Sequence, residues 1–226
     1  MASLCIKIVL VRPHYPENVG LVARAMANFG FKELALVRPE CEFKGSLAKS
    51  RACHGQSILL KAKQFESLGK ALEGCSYAVA TSAKARKNRP FLGFPAVAER
   101  LGKSHAKAAL VFGPEPDGLS AKELDQCDFL ARIPASKEYP TLNLSHAACI
   151  ALFLLFSKKP KKPAFKEAGP ESKKKLLELF EKDLEKARGI TDKAMVKASF
   201  KALLSRSLLS EKEAKALAAF FARKGK

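Results

Sequence analysis

The chain has 226 residues, 47% hydrophobic and 28% charged, a globular balance that excludes a disordered, collagen-like or coiled-coil chain and leaves room for one ordinary domain with an appendage or two modest domains. Lys and Arg total 41 against 22 acids, a formal net charge of +19, which predicts a polyanionic partner, nucleic acid first and an anionic membrane surface second. The longest apolar run, 147–156, is well short of the roughly 20 residues a membrane-spanning helix needs. Lys7 interrupts the apolar start, so no signal peptide is predicted and a cytoplasmic protein is expected.

In chain order, the first 156 residues alternate short apolar runs with helical spacing. The segments 5–11, 33–37, 77–82, 109–113 and 129–134 are bounded by Gly, Pro or charges and predict strands buried on both faces. Between them, 18–29 closed by Gly30, 57–72, 95–102 and 121–127 predict helices. Such alternation gives an α/β fold, a parallel sheet with helices on both faces. Ligands of these sheets bind beyond the carboxyl ends of the strands, here the loops after Val11, Ser82, Gly113 and Pro134.

Residues 157–170, with three prolines and five lysines, predict a basic linker. Beyond it, 170–189, 192–207 and 210–224 are amphipathic, and Ser210 with Glu213 has the spacing of a capping box. The chain therefore divides into a domain over 1–156, a linker over 157–170 and a helical extension over 171–226. Charge follows the division: 1–156 holds 21 basic and 13 acidic residues, 157–226 holds 20 and 9. The lysines of the extension read either as a solvated face or as a surface that grips RNA.

Six cysteines (Cys5, Cys41, Cys53, Cys75, Cys127, Cys149) show no CxxC spacing and are expected to be reduced and mostly buried. Cys53 beside His54 lacks a second ligand pair at zinc-site spacing, so no metal is expected. The chain has no GxGxxG, no complete P-loop, no GxSxG and no HExxH, which removes local support for dehydrogenase, NTPase, hydrolase and zinc-protease readings.

The strand-end loops carry the distinctive residues. PHYPENVGLVAR (13–24) places Asn18, Gly20 and Arg24 at a helix start, where anions are attracted. FGPEPDGLS (112–120) is a tight loop with the carboxylate of Glu115. IPASKEYPTLNLSHAA (133–148) runs polar Thr141, Asn143 and Ser145 directly into an apolar helix. In order and spacing these three segments resemble the motifs of the SpoU/TrmH class of RNA ribose methyltransferases. TSAKAR (81–86) and the helical extension resemble the TrmJ branch of that class, so the resemblance covers nearly the whole chain. Pro114 stands where many relatives have Arg, and Thr141 where many have Ser.

The resemblance implies a trefoil-knotted domain of the SPOUT superfamily, S-adenosylmethionine as cofactor, tRNA as partner, a homodimer, and methylation of a 2'-hydroxyl at cytidine or uridine 32. It implies catalytic roles for Arg24, Asn18, Glu115, Thr141 and Asn143, with Glu115 anchoring Arg24 or the cofactor loop and Asn18 holding the phosphate or Arg24; apart from the resemblance, Asn18 reads as a plain helix N-cap. Cofactor contacts are expected from Thr81, Ser82, Ala83, Phe112, Gly113, Glu115, Gly118, Ile133, Leu142 and Asn143. RNA contacts are expected from Arg24 and the cluster Lys84, Arg86, Lys87 and Arg89. His14 and His146 are expected to pack or hydrogen-bond rather than act as bases. An rRNA methyltransferase of the same class and a non-catalytic knotted RNA-binding protein remain the alternatives. The apolar helix 145–156 favours a dimer over a monomer core.

Overall fold

The computed structural model describes residues 5–83, 91–103, 106–158 and 166–223. Among these, seven strands form one sheet: β1 (Ile6–Val11), β2 (Glu33–Val37), β3 (Lys63–Phe65), β4 (Tyr77–Thr81), β5 (Phe91–Gly93), β6 (Ala108–Phe112) and β7 (Phe129–Arg132). Their order is β3-β2-β1-β6-β4-β7-β5, and every neighbouring pair is parallel. The helices are α1 (Pro16–Phe29), α2 (Ser46–Ala52), α3 (Gln56–Lys61), α4 (Leu68–Leu72), α5 (Phe94–Gly102), α6 (Ala121–Leu124), α7 (Leu144–Ser157), α8 (Pro170–Lys186), α9 (Lys193–Arg206) and α10 (Glu211–Arg223). No helix among the described residues is long and apolar enough to cross a membrane.

Alternation along β1 separates two cores, because successive side chains of a strand point to opposite faces. Ile6, Ile8 and Leu10 face a large core closed by α1, α5 and α7, with Met26, Phe94 and Leu152 fully buried. Val9 and Val11 face a smaller core with Leu68, Ala71, Leu119 and Leu124. Lys7 is buried in the same strand because its ammonium donates to Ala71 O at 2.7 Å and to Glu73 O at 3.4 Å. A buried charge without such acceptors would cost several kcal/mol.

The segment 57–72, read from sequence as one helix, is α3, β3 and α4 in succession. Ala62 leaves the helical region (φ −58°, ψ 132°), and three residues then pair with the edge of β2. Leucines spaced at helical intervals on both sides of the break disguise it. The helix 121–127 shortens to Ala121–Leu124, and α1 begins at Pro16 rather than Asn18. Cysteines differ too: among the described residues all six are free, but Cys5, Cys53 and Cys149 are exposed and only Cys127 is buried.

The C-terminal helices dock at the amino-terminal end of the sheet. The Tyr77 hydroxyl, at the start of β4, donates to Ser207 O at 2.7 Å and accepts from Lys173 Nζ at 2.9 Å, and the same ammonium lies 4.1 Å from the Tyr77 ring centre. Burial, with the Glu167 carboxylate next in weight, pushes the Tyr77 hydroxyl above its ordinary range, and burial pulls the Lys173 ammonium below its own. A short clasp holds the unit at its base: Ala168 N donates to Leu209 O at 2.7 Å and Glu211 N to Lys166 O at 2.9 Å. Within the unit Phe180 stacks on Phe200 at 3.7 Å between ring centres, with Phe221 against both edges. Ser210 and Glu213 exchange the two hydrogen bonds of a capping box at 2.8 and 3.1 Å.

Candidate active site

Strand order reverses direction around β1, which puts a crevice beyond the carboxyl ends of β1, β6, β4 and β7. There the loops after β4, β6 and β7 enclose an open-sided cavity of about 210 Å³. Thr81, Ser82 and Ala83 line it from β4, Phe112, Gly113, Glu115 and Gly118 from β6, and Ile133, Thr141 and Leu142 from the β7 loop. Pro114, which the sequence marked as a departure from its relatives, also lines it, as do Pro116, Asp117, Leu119, Pro140, Leu144 and Ala147, which the sequence did not single out. Their signal was only their place inside loops already marked.

Backbone geometry builds the cavity's β6 wall. A Cβ on Gly113 would lie 2.4 Å from Leu119 N, and Gly118 has φ +70°, so the loop folds back on itself only with glycine at both places. Pro114 O accepts from Gly118 N at 3.0 Å, closing the turn. After the turn Ser120 caps α6 in a full capping box with Glu123. Glu123 is buried and also binds Arg12 through both guanidinium nitrogens. Burial works to raise the Glu123 carboxyl, but hydrogen bonds from Arg12 and Ser120 outweigh it and hold the group below the usual carboxylate range.

Three loops are tied together by side chains behind the cavity. Asn18 Nδ2 donates to Glu115 Oε1 at 2.7 Å, and the backbone N–H of His14 donates to Glu115 Oε2 at 3.1 Å. Asn143 Nδ2 donates to Asn18 Oδ1 at 3.1 Å, while Asn143 Oδ1 accepts from Ser145 N at 2.8 Å and Ser145 Oγ at 2.7 Å. The relay Glu115–Asn18–Asn143–Ser145 thus joins the β1, β6 and β7 loops. Asn143 caps α7; the residue is exposed, and its two side-chain polar atoms are engaged by Asn18 and Ser145.

Several sequence expectations change here. Glu115 is bound to Asn18 and His14, not to Arg24. Asn18 is buried inside the first turn of α1, whose N-cap is Tyr15, so it is no N-cap. Arg24 is exposed, lies two turns down α1, and does not line the cavity of its own chain. Asn143 is likewise absent from the lining. His14 pairs with Glu40 at 3.4 Å, and His146 is exposed. Lys84, Arg86, Lys87 and Arg89 lie outside the described residues. Among the described residues there is no group of His, Cys, Asp or Glu able to hold a metal ion.

The cavity fits S-adenosylmethionine by the chemistry of its walls. Leu119, Ile133, Leu142 and Leu144 offer apolar surface, and the loop with Gly113 and Gly118 brings backbone close without a Cβ in the way. Glu115 and Asp117 add carboxylates to the wall, a charge that would suit a cationic sulfonium.

Residues 5–153 match the model of the SpoU rRNA methylase family. The chain is 34% identical over 228 residues to the tRNA (cytidine-2'-O-)-methyltransferase TrmJ of Methanocaldococcus jannaschii, covering 96% of this chain and 99% of that protein. It is 38% identical over 152 residues to the tRNA (cytidine/uridine/adenosine-2'-O-)-methyltransferase TrmJ of Pseudomonas aeruginosa, which covers 66% of this chain and 59% of that protein. The crystal structure of TrmJ from Zymomonas mobilis has the same fold, with a TM-score of 0.69 over 97% of this chain and 99% of that one at 24% identity. With the three motif loops around one crevice and a family match over its whole α/β part, the chain belongs to the SpoU methylase family of RNA methyltransferases.

Proposed function

We propose that the protein methylates the 2'-hydroxyl of a pyrimidine ribose, at position 32 of the tRNA anticodon loop, using S-adenosylmethionine in the cytoplasm. The observation that carries this reading is the relay from Glu115 through Asn18 to Asn143, which fixes three motif loops around the cavity in a chain alignable nearly end to end with the tRNA methyltransferase of M. jannaschii. The cofactor supplies a methyl group on a cationic sulfur, held by residues 81–83, 112–118 and 133–142. A ribose hydroxyl is a poor nucleophile at neutral pH, so its orientation and the fate of its proton decide the rate. A guanidinium keeps its proton up to a pKa above about 12. Arg24 therefore grips the neighbouring phosphate and aligns the hydroxyl, and the proton leaves to that phosphate or to water. Asn18 and Glu115 act as positioning residues, and Thr141, exposed in the cavity lining, offers a hydroxyl to the reacting groups.

Arg24 does not reach its own cavity, which supports a homodimer in which it serves the cavity of the second copy. α7 supports the same reading: Ile150, Phe153 and Phe156 are 38%, 53% and 44% exposed on a helix whose other side is core, and Phe29 of α1 continues that face. In this reading residues 1–156 carry the chemistry and the basic extension 171–226 grips tRNA. Incubating the protein with tRNA and labelled S-adenosylmethionine and mapping 2'-O-methylation tests it. A label at nucleotide 32 is expected, and labelling of rRNA alone would replace this reading with a ribosomal substrate. Sedimentation at the monomer mass at micromolar protein would reject the dimer.

A further inference from the structure

The segment from Phe43 to Phe65 carries Lys44, Lys49, Arg51, Lys61 and Lys63 and no acid. Its first part, α2 and the single 3-10 turn Cys53–Gly55, lies against α1 at backbone distance. A Cβ on Gly20 would lie 2.2 Å from Ala48 O and 2.9 Å from Arg51 Cβ. One on Gly55 would lie 2.5 Å from Ala23 O and 2.8 Å from Arg24 N. Gly20 and Arg24 are four residues apart and so share a face of α1. The two close approaches therefore set Arg51 about one turn of α1 before Arg24 and put Gly55, next to His54 in the chain, against the backbone of Ala23 and Arg24.

All three side chains are exposed, and among the described residues none is paired with a carboxylate. Cys53, which turns the chain from α2 into the 3-10 turn, has φ +48° and ψ −120°, a left-handed conformation that strains any residue with a Cβ. Strain of this kind persists where surrounding packing imposes it, and it clusters at binding sites. Here it turns the chain so that Gly55, the residue after His54, meets the Ala23–Arg24 backbone. Cations gathered without an acid repel one another, and a polyanion removes that repulsion.

We propose that Arg51 and His54 form with Arg24 a ledge that holds RNA phosphates flanking the methylated ribose, Arg51 and His54 supplying affinity and register while Arg24 supplies the catalytic alignment. This assignment rests on the reading of the protein as a tRNA methyltransferase and adds the residues that grip the substrate next to the reacting hydroxyl. Lys49, on the same helix as Arg51, extends the ledge.

The test uses the full chain with tRNA, comparing Arg51→Ala, Arg51→Glu, Arg51→Lys and His54→Ala in methyl transfer and in salt-dependent binding. Arg51→Ala is expected to raise the KM for tRNA about tenfold, the scale of one charge-assisted contact, with kcat within about twofold of the parent. The slope of log K against log salt should fall by about 0.7 to 0.9, one phosphate contact. Arg51→Lys should restore that slope, Arg51→Glu should weaken binding further, and His54→Ala should raise KM by a smaller factor. Unchanged KM and slope in both Arg51→Ala and Arg51→Glu would overturn the proposal. A changed oligomeric state in Arg51→Glu with an unchanged salt slope would also overturn it, assigning this face to protein contact. Absence of methyl transfer by the parent protein would defeat the tRNA methyltransferase reading instead, and the salt slope would still report on the ledge.

Discussion

The two ends of the parallel sheet are built from different materials. At the carboxyl end, short polar side chains on loops are tied to one another by Glu115, Asn18, Asn143 and Ser145, around a cavity with mixed apolar and polar walls. At the amino end, the docked extension meets Tyr77, Phe129 and Leu101 through an apolar seam, and the half-buried Lys173 ammonium bonds the Tyr77 hydroxyl. Rigid loops with carboxamides suit the positioning of a reacting atom, whereas an apolar seam with a satisfied charge suits the fixing of a helical unit. The ends are separated by the length of β4, five residues or about 15 Å. On the proposed function, the extension would meet RNA away from the cavity of its own chain, and the ledge of Arg24, Arg51 and His54 close to the reacting ribose.

The largest effect expected from breaking this contrast comes at the carboxyl end. Arg24→Ala should lower methyl transfer at saturating tRNA by at least about 100-fold, the scale of one well-placed electrostatic contact. The affinity for S-adenosylmethionine, read by calorimetry, should stay near its parent value. Arg24→Lys should recover little if the bidentate fork matters and much if charge alone suffices.

Glu115→Ala should follow. It leaves the buried Asn18 carboxamide and the His14 N–H without their acceptor, a loss of about 1 to 3 kcal/mol spread over the cofactor loops. Cofactor affinity should fall about tenfold or more, and Glu115→Gln, which keeps an acceptor oxygen, should fall less. A Glu115→Ala protein that bound cofactor normally would show that the relay does not hold the cavity.

At the amino end, Tyr77→Phe removes the hydroxyl that serves both Ser207 O and Lys173 Nζ. Hydrogen exchange over residues 166–223 should quicken by the equivalent of about 1 to 2 kcal/mol, and cofactor binding should not change. Loss of cofactor affinity in this variant would mean that the two ends are coupled.

The smallest effect concerns acid. The Glu123 carboxyl lies below its ordinary value in the folded protein, so the native state binds fewer protons than the unfolded chain across the window between the two values. The stabilisation is present above about pH 4.5 and is lost as pH falls through the lowered folded value. Thermal denaturation across pH 3 to 6 should therefore show a steeper acid loss for the parent than for Glu123→Gln.

Much of the fold was legible because a parallel sheet hides both faces of its strands, so that 33–37 and 77–81 stand out as apolar runs between charges. The excursion from Ser46 to Gly55 left no such mark. Only Ala48, Ala52 and Gly55 are buried in it, and two glycines, not an apolar stripe, seat it on α1. The motif loops marked the cavity, but not the partners within it. Asn18 and Arg24 belong to one motif and face different surroundings, since six residues turn a helix through 600°, leaving them about 120° apart. The resemblance offered Glu115 as an anchor for Arg24 or for the cofactor loop, and helix geometry gives Glu115 to Asn18 rather than to Arg24.

The clasp between residues 166–169 and 209–211 makes α8 and α9 a loop closed at its own base. Such a loop cannot peel away helix by helix from either end, because its first and last residues hold each other. A protease that cuts the turn at Arg188 and Gly189 would leave both fragments in place through Phe180, Phe200 and Phe221, and the nicked protein should run intact under native conditions and separate only when denatured. The extension thus detaches from the sheet as one cooperative piece or stays whole.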